Sequence, residues 1–126
     1  MTDNKTLITE YLRALSGKAK PAELVRRYVS DPALARHIEE SEAAFPSYEI
    51  LVEDMIGEGD RVAVRGTFQG VQRGSFAGIS ATGRSVRAGL IIIYRIENGR
   101  IVEHWMQLDT PTLLAQLQGT SAGVSA

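Results

Sequence analysis

The dipeptide Asn98-Gly99 constrains this chain more than any other feature. It separates two runs rich in β-branched and aromatic residues. A two-residue type I′ turn needs positive φ at both central positions, and Asn-Gly accepts that conformation readily. The pattern predicts a β-hairpin with arms Val86–Glu97 and Arg100–Leu108. An ideal turn also fixes the register. Glu97 then faces Arg100, Ile96 faces Ile101, Tyr94 faces Glu103 and Ile92 faces Trp105. Leu90 faces Gln107, and Ala88 faces Asp109.

Opposed partners share a face, and successive side chains alternate between faces. One face therefore carries Leu90, Ile92, Tyr94, Ile96, Ile101, Trp105, Gln107 and Asp109. The other carries Arg87, Ile91, Ile93, Arg95, Val102, His104, Met106 and Leu108. A bulge near Met106–Asp109 would exchange the last of these between faces. Both faces are apolar in the middle, so both are expected to be covered.

A chain of 126 residues is long enough for one domain with a proper core. Its formal net charge of −1 gives no general attraction to nucleic acid or to an anionic membrane. There is no cysteine, which excludes disulfides and thiol chemistry. The start, MTDNKTLITE, lacks the apolar core of a signal peptide, and the run Ala88–Tyr94 is far too short to span a bilayer. A soluble cytoplasmic protein is the expectation.

Ahead of the hairpin, Leu7, Ile8, Tyr11, Leu12 and Leu15 recur at helical spacing, predicting a helix over Asp3–Leu15. Pro21 opens a short second helix with Leu24, Val25 and Tyr28 inward. Asp31-Pro32 is a helix start, Asp31 as cap and Pro32 in the first turn. That third helix runs to about Phe45, with Leu34, Ile38 and Phe45 inward and Glu39, Glu40 and Glu42 on a solvated side. Strands are predicted over Tyr48–Ile56 and Arg61–Val71, separated by a turn at Gly57–Asp60. Gly74–Gly83 reads as a loop: it has neither G-x-G-x-x-G nor a P-loop lysine. Thr110-Pro111 starts a last helix containing Leu113, Leu114 and Leu117. Residues 1–119 form one domain in this reading, and 120–126 a flexible tail without periodicity.

Three helices, four strands in hairpins and a terminal helix give an α+β domain. The helices cover one face of a curved antiparallel sheet. The second apolar face predicts a homodimer through the outer side of the sheet, because so large an apolar patch is unusual on a monomer.

Several pieces of the chain resemble the SnoaL-like polyketide cyclases of the nuclear transport factor 2-like superfamily. They are HIEESEAAFP (37–46), EGDRVAVR (58–65), GSFAGISATGR (74–84), YRIENGRIVEHW (94–105) and Asp109. The resemblance spans about two-thirds of the chain. It implies a cone-shaped barrel with the sheet wrapped around the N-terminal helices, a deep apolar pocket and a sheet-mediated dimer. It implies cofactor-free acid/base chemistry, an aldol ring closure or isomerisation on a hydrophobic carbonyl compound, with Asp109 as the acid/base. Two stretches depart from the family pattern. Ser80-Ala81 stands where a proline-rich turn is usual, and Ser47 follows Phe45-Pro46 where aspartate is usual.

Such chemistry needs a base whose pKa is moved toward neutrality, and burial does this to a carboxylate. The ideal register puts Asp109 on one face with Leu90, Ile92 and Trp105; its plainer role is to precede or cap the last helix, a task Thr110 can also perform. Leu90, Ile92, Tyr94, Trp105 and Gln107 are the candidate substrate-binding residues. Trp105 and Tyr94 could stack on a ligand or simply fill the core, and Gln107 could donate to an enolate oxygen or lie at the surface. His104 falls on the opposite face from Asp109, as an interface histidine, unless a bulge reverses it. His37 on the third helix is either at the pocket mouth or merely exposed. The histidines lack metal-ligand spacing, so no metal is expected. The alternative to an enzyme is a non-catalytic small-molecule binding or dimerisation module of the same fold.

Overall fold

The computed structural model describes residues 3–119. The tail expected over 120–126 lies outside the described residues. Helix α1 (Asn4–Leu15) begins at Asp3, whose carboxylate accepts from the Thr6 N–H. Helix α2 (Ala22–Tyr28) follows Pro21. Helix α3 (Pro32–Ala44) starts at Asp31, whose Oδ1 accepts from the N–H groups of Ala33 and Leu34. Four strands follow: β1 (Glu49–Glu58), β2 (Arg61–Val71), β3 (Ser85–Glu97) and β4 (Arg100–Leu108). They form one antiparallel sheet in the order β1-β2-β3-β4. The first strand runs two residues past the predicted end, so the tight turn is Gly59-Asp60. Helix α4 (Thr110–Leu117) closes the fold.

The sheet curves around the helices in the cone-like α+β arrangement. Tyr11, Ile8, Leu12 and Leu15 of α1 and Leu34 and Ile38 of α3 are buried with Val62, Val64 and Phe68 of β2 and Leu90, Ile92 and Tyr94 of β3. Leu113 and Leu117 of α4 join the same core. Two bulges help the sheet to curl, since a bulge bends its strand and increases the local twist. In β1, Val52 pairs with Gly66 and Asp54 with Arg65, leaving Glu53 as the extra residue. Only glycine suits position 66, because a Cβ there would stand 2.5 Å from the Leu51 carbonyl oxygen.

The second bulge overturns the ideal register of the central hairpin. Asn98 and Gly99 have φ of 51° and 74°, as the predicted turn requires, and Ile96 pairs with Ile101. Then Arg95 pairs with Glu103, so Val102 is the inserted residue. From there Tyr94 faces His104, Ile93 faces Trp105, Ile92 faces Met106, Ile91 faces Gln107 and Leu90 faces Leu108. Burial explains the shift. The ideal register would press the Glu103 carboxylate against Tyr94, which is 1% exposed. An unpaired buried charge costs several kcal/mol, on the order of a whole large side chain's burial. The bulge sends Glu103 outward, where it pairs with Arg95.

The concave face of β4 is therefore His104, Met106 and Leu108. Trp105 and Gln107, predicted inward, are on the convex face with Ile91 and Ile93. No helix among the described residues is long and apolar enough to cross a membrane.

Candidate functional site

Between α3 and the concave face of the sheet lies an apolar cavity of about 70 Å³. Helix α3 supplies Leu34, His37, Ile38 and Ser41 to its wall, one residue per turn or so along one stripe. The sheet supplies Leu90, Ile92, Tyr94, Met106 and Leu108. Three phenols, Tyr11, Tyr48 and Tyr94, also line it. No Asp, Glu, Lys or Arg is among its lining residues.

The predicted substrate-binding residues divide. Leu90, Ile92 and Tyr94 line the cavity. Trp105 does not: it is 45% exposed on the convex face, with the Arg61 guanidinium 5.2 Å from its ring centroid. Gln107 is exposed on that same face, beside Ile91 and Asp109 along an open trough.

Asp109 also stands apart from the cavity. It is the N-cap of α4: its carboxylate accepts from the Thr112 N–H at 3.3 Å and from the Thr112 hydroxyl at 2.7 Å. Its own N–H donates to the Gly89 carbonyl. Thr110 is already in the first turn, so it does not supply the cap. The expected inward placement of Asp109 is thus corrected, because β4 has already shifted by one residue and ends at Leu108.

The bulge instead turns His104 onto the concave face opposite Tyr94, next to the cavity but not among its lining residues. Its Nδ1 lies 2.8 Å from Asp31 Oδ2, and both side chains are largely buried. A carboxylate only accepts, so Nδ1 carries a proton, and the base form of the ring has its lone pair on Nε2. Asp31 thus serves two elements: Oδ1 caps α3 while Oδ2 fixes the imidazole. The backbone is tied here too, since the Ser30 N–H donates to the Ile101 carbonyl. His37, half-buried one helical turn and a half into α3, completes the group. Burial lowers its pKa, the His104 charge lowers it further, and Glu40 opposes both. His37 is therefore a neutral imidazole in the cavity wall at pH 7.

The tyrosines are held neutral. Burial pushes the phenols of Tyr11, Tyr48 and Tyr94 up. The nearness of Tyr94 raises Tyr11 further, while Tyr11 opposes the rise at Tyr94. The Tyr11 and Tyr94 rings meet edge-on, 5.8 Å between centroids.

The loop between β2 and β3 reaches the cavity through Phe76, whose ring packs on Phe45 at 5.3 Å. The loop is organised by Gln72, which is fully buried. Its Nε2 donates to the carbonyls of Gly74 and Ile79, and its Oε1 accepts from the N–H and hydroxyl of Thr82. Neither Asp31 as a partner of His104 nor Gln72 as a loop organiser stands out in the sequence. Asp31 carries a complete local explanation as a cap, and its second oxygen is used by a residue 73 positions away.

Comparison with known proteins gives the following. A profile of the SnoaL-like polyketide cyclase family matches residues 16–117. No curated protein matches the chain in sequence. Among solved structures, TsrD from Streptomyces laurentii is similar with 27% identity and a TM-score of 0.75, over 93% of this chain and 98% of that one. AclR from Streptomyces galilaeus, a proposed hydroxylase, has 26% identity and a TM-score of 0.78, over 91% of this chain and 80% of its own. IdmH from Streptomyces antibioticus, a proposed polyketide cyclase, shares the fold at 24% identity and a TM-score of 0.76, over 93% and 99% of the two chains.

Proposed function

The chain belongs to the SnoaL-like polyketide cyclase family, and we propose that it is a cofactor-free acid/base enzyme acting on a small hydrophobic carbonyl compound, with His104 as the base. The observation that carries this reading is the Asp31–His104 pair beside a cavity whose wall holds His37. His104 Nε2 removes a proton from the carbon next to a carbonyl, leaving an enolate. In a ring closure, the enolate carbon bonds to a second carbonyl carbon of the same molecule. That carbonyl's π pair becomes an alkoxide, which takes the proton back from the imidazolium. In an isomerisation the proton returns to a different carbon. Asp31 stabilises the imidazolium between the two steps and fixes the ring's tautomer, an effect worth on the order of 10²–10⁴ in rate in comparable dyads.

The test needs only the first half of either reaction. One-ring aryl ketones and cyclic diketones are incubated with the protein in D₂O, and loss of the α-proton signal is followed by NMR. The wild type is expected to accelerate exchange, and His104→Gln to abolish the acceleration. Exchange that is equal in both proteins, or no faster than buffer, removes the enzyme reading.

A second reading, a non-catalytic binding module, is favoured by the size of the cavity. About 70 Å³ is well below the ~300 Å³ at which ordinary ligand pockets begin. It predicts saturable binding of small apolar molecules without exchange. In either reading the convex face pairs two copies into a dimer: Ile56, Ile91, Ile93 and Trp105 are all exposed there.

A further inference from the structure

Tyr94 and His104 are a directly opposed pair on the concave face of β3 and β4. In such a pair the Cβ atoms are only about 4.5–5.5 Å apart. A hydroxyl and an imidazole thus start from one place on the sheet and extend over the same side. We propose that the Tyr94 hydroxyl is the oxyanion donor of this site: it holds the carbonyl oxygen of a substrate that is neutral when bound and anionic only as its enolate, while His104 works on the adjacent carbon. The inference rests on the assignment of His104 as base.

Tyr94 lines the cavity and is otherwise enclosed by the core, so its ring has one position. The Tyr11 ring braces it edge-on, with 5.8 Å between centroids. Donors fixed before charge develops are the ones that stabilise an enolate, and they act most strongly where water is excluded. Gln107, the residue whose type first fits this role, faces away on the convex side.

The wall also selects the ligand class. With no lysine or arginine in the lining, a carboxylate or phosphate ester would enter uncompensated. A ketone or a phenol loses far less on leaving water. The substrate class is therefore a neutral, ring-bearing ketone, whose charge appears only when the proton leaves.

A phenolate is a stable imitation of that enolate. Binding of 4-nitrophenol is measured at a pH where it is ionised, alongside nitrobenzene, which has the same outline without the oxygen. Wild type and Phe76→Ala, the latter with a wider cavity, are both used. Tyr94→Phe is expected to weaken the phenolate by about 10–100-fold and nitrobenzene by less than about twofold. An unchanged phenolate affinity in Tyr94→Phe overturns the proposal. So does an equal loss of both ligands, which marks a packing role, and so does phenolate binding by neither wild type nor Phe76→Ala. None of these readouts involves turnover. If His104 is not the base, His104→Gln leaves ketone exchange unchanged while the selective grip of Tyr94 on phenolate persists, so the two failures are told apart.

Discussion

Asp31 Oδ2 and His104 Nδ1 meet at 2.8 Å although their residues are 73 positions apart. The contact joins the first turn of α3 to the middle of β4, and with it the two histidines of the chain.

Replacing Asp31 by asparagine separates the two roles of that side chain. Asparagine caps a helix about as well as aspartate, so α3 should persist, with a stability loss within about 1 kcal/mol. An amide N–H facing Nδ1 forces the ring proton onto Nε2 and removes the base. Ketone exchange is expected to fall at least about 100-fold. Long-range proton–nitrogen NMR of His104 reads the tautomer directly. Full activity in Asp31→Asn would show that Asp31 serves α3 alone.

His37 makes stability depend on pH in a defined direction. Burial first, and then the His104 charge, hold its pKa below the ordinary 6.5. In the window between that lowered value and 6.5, the unfolded chain binds a proton that the folded chain does not. Stability from this group is complete above 6.5 and is lost as the pH falls through the window. Urea midpoints of the wild type should therefore drop between pH 7 and pH 5 more than those of His37→Gln. Parallel curves would mean that His37 titrates as if in water.

Phe76 limits the size of the cavity. Truncation to alanine removes a half-buried ring, and is expected to cost about 1–2 kcal/mol, less than the ~3–5 of a fully buried phenylalanine. It should enlarge a void of about 70 Å³ toward the ~150 Å³ that accommodates benzene. Benzene should raise the melting temperature of Phe76→Ala more than that of the wild type. Equal shifts would place the ligand elsewhere.

The convex face is tested through Ile93, 37% exposed and opposite Trp105 on the neighbouring strand. A carboxylate there meets no cavity residue. Sedimentation equilibrium of the wild type should give a dimer, and Ile93→Glu a monomer with an intact concave face. A monomeric wild type, or a dimeric variant, would remove the proposed pairing.

Much of the fold was legible from short-range signals. Asp31-Pro32, Asn98-Gly99 and the periodic leucines act within a few residues, so they mark caps, turns and helices directly. The arms of the central hairpin follow from the alternation of β-branched residues around one turn. The site was less legible because it depends on counting through β4. Nothing local in Ile101-Val102-Glu103 announces a bulge. It is decided by Tyr94 and the surrounding core, which exclude the Glu103 carboxylate, and by Arg95, which receives it. Once that residue is inserted, Trp105, Gln107 and His104 all change sides together. Asp109 leaves the concave face for the same reason, and it takes the plainer of the two roles open to it, the cap of α4. Tyr94 lies before the bulge on the partner strand, and it kept its face.

The bulge at Val102 makes the chemistry of β4 a matter of parity. Whether His104 or Trp105 enters the cone depends on an odd or even number of residues after the turn, not on which residue stands at 102. Val102 itself is half-buried and contributes little that another side chain could not. A scan of substitutions at this position would register a tolerant site of no consequence. Removing the residue would leave the composition of the strand almost untouched and exchange its two surfaces, turning His104 and Met106 outward and Trp105 and Gln107 in.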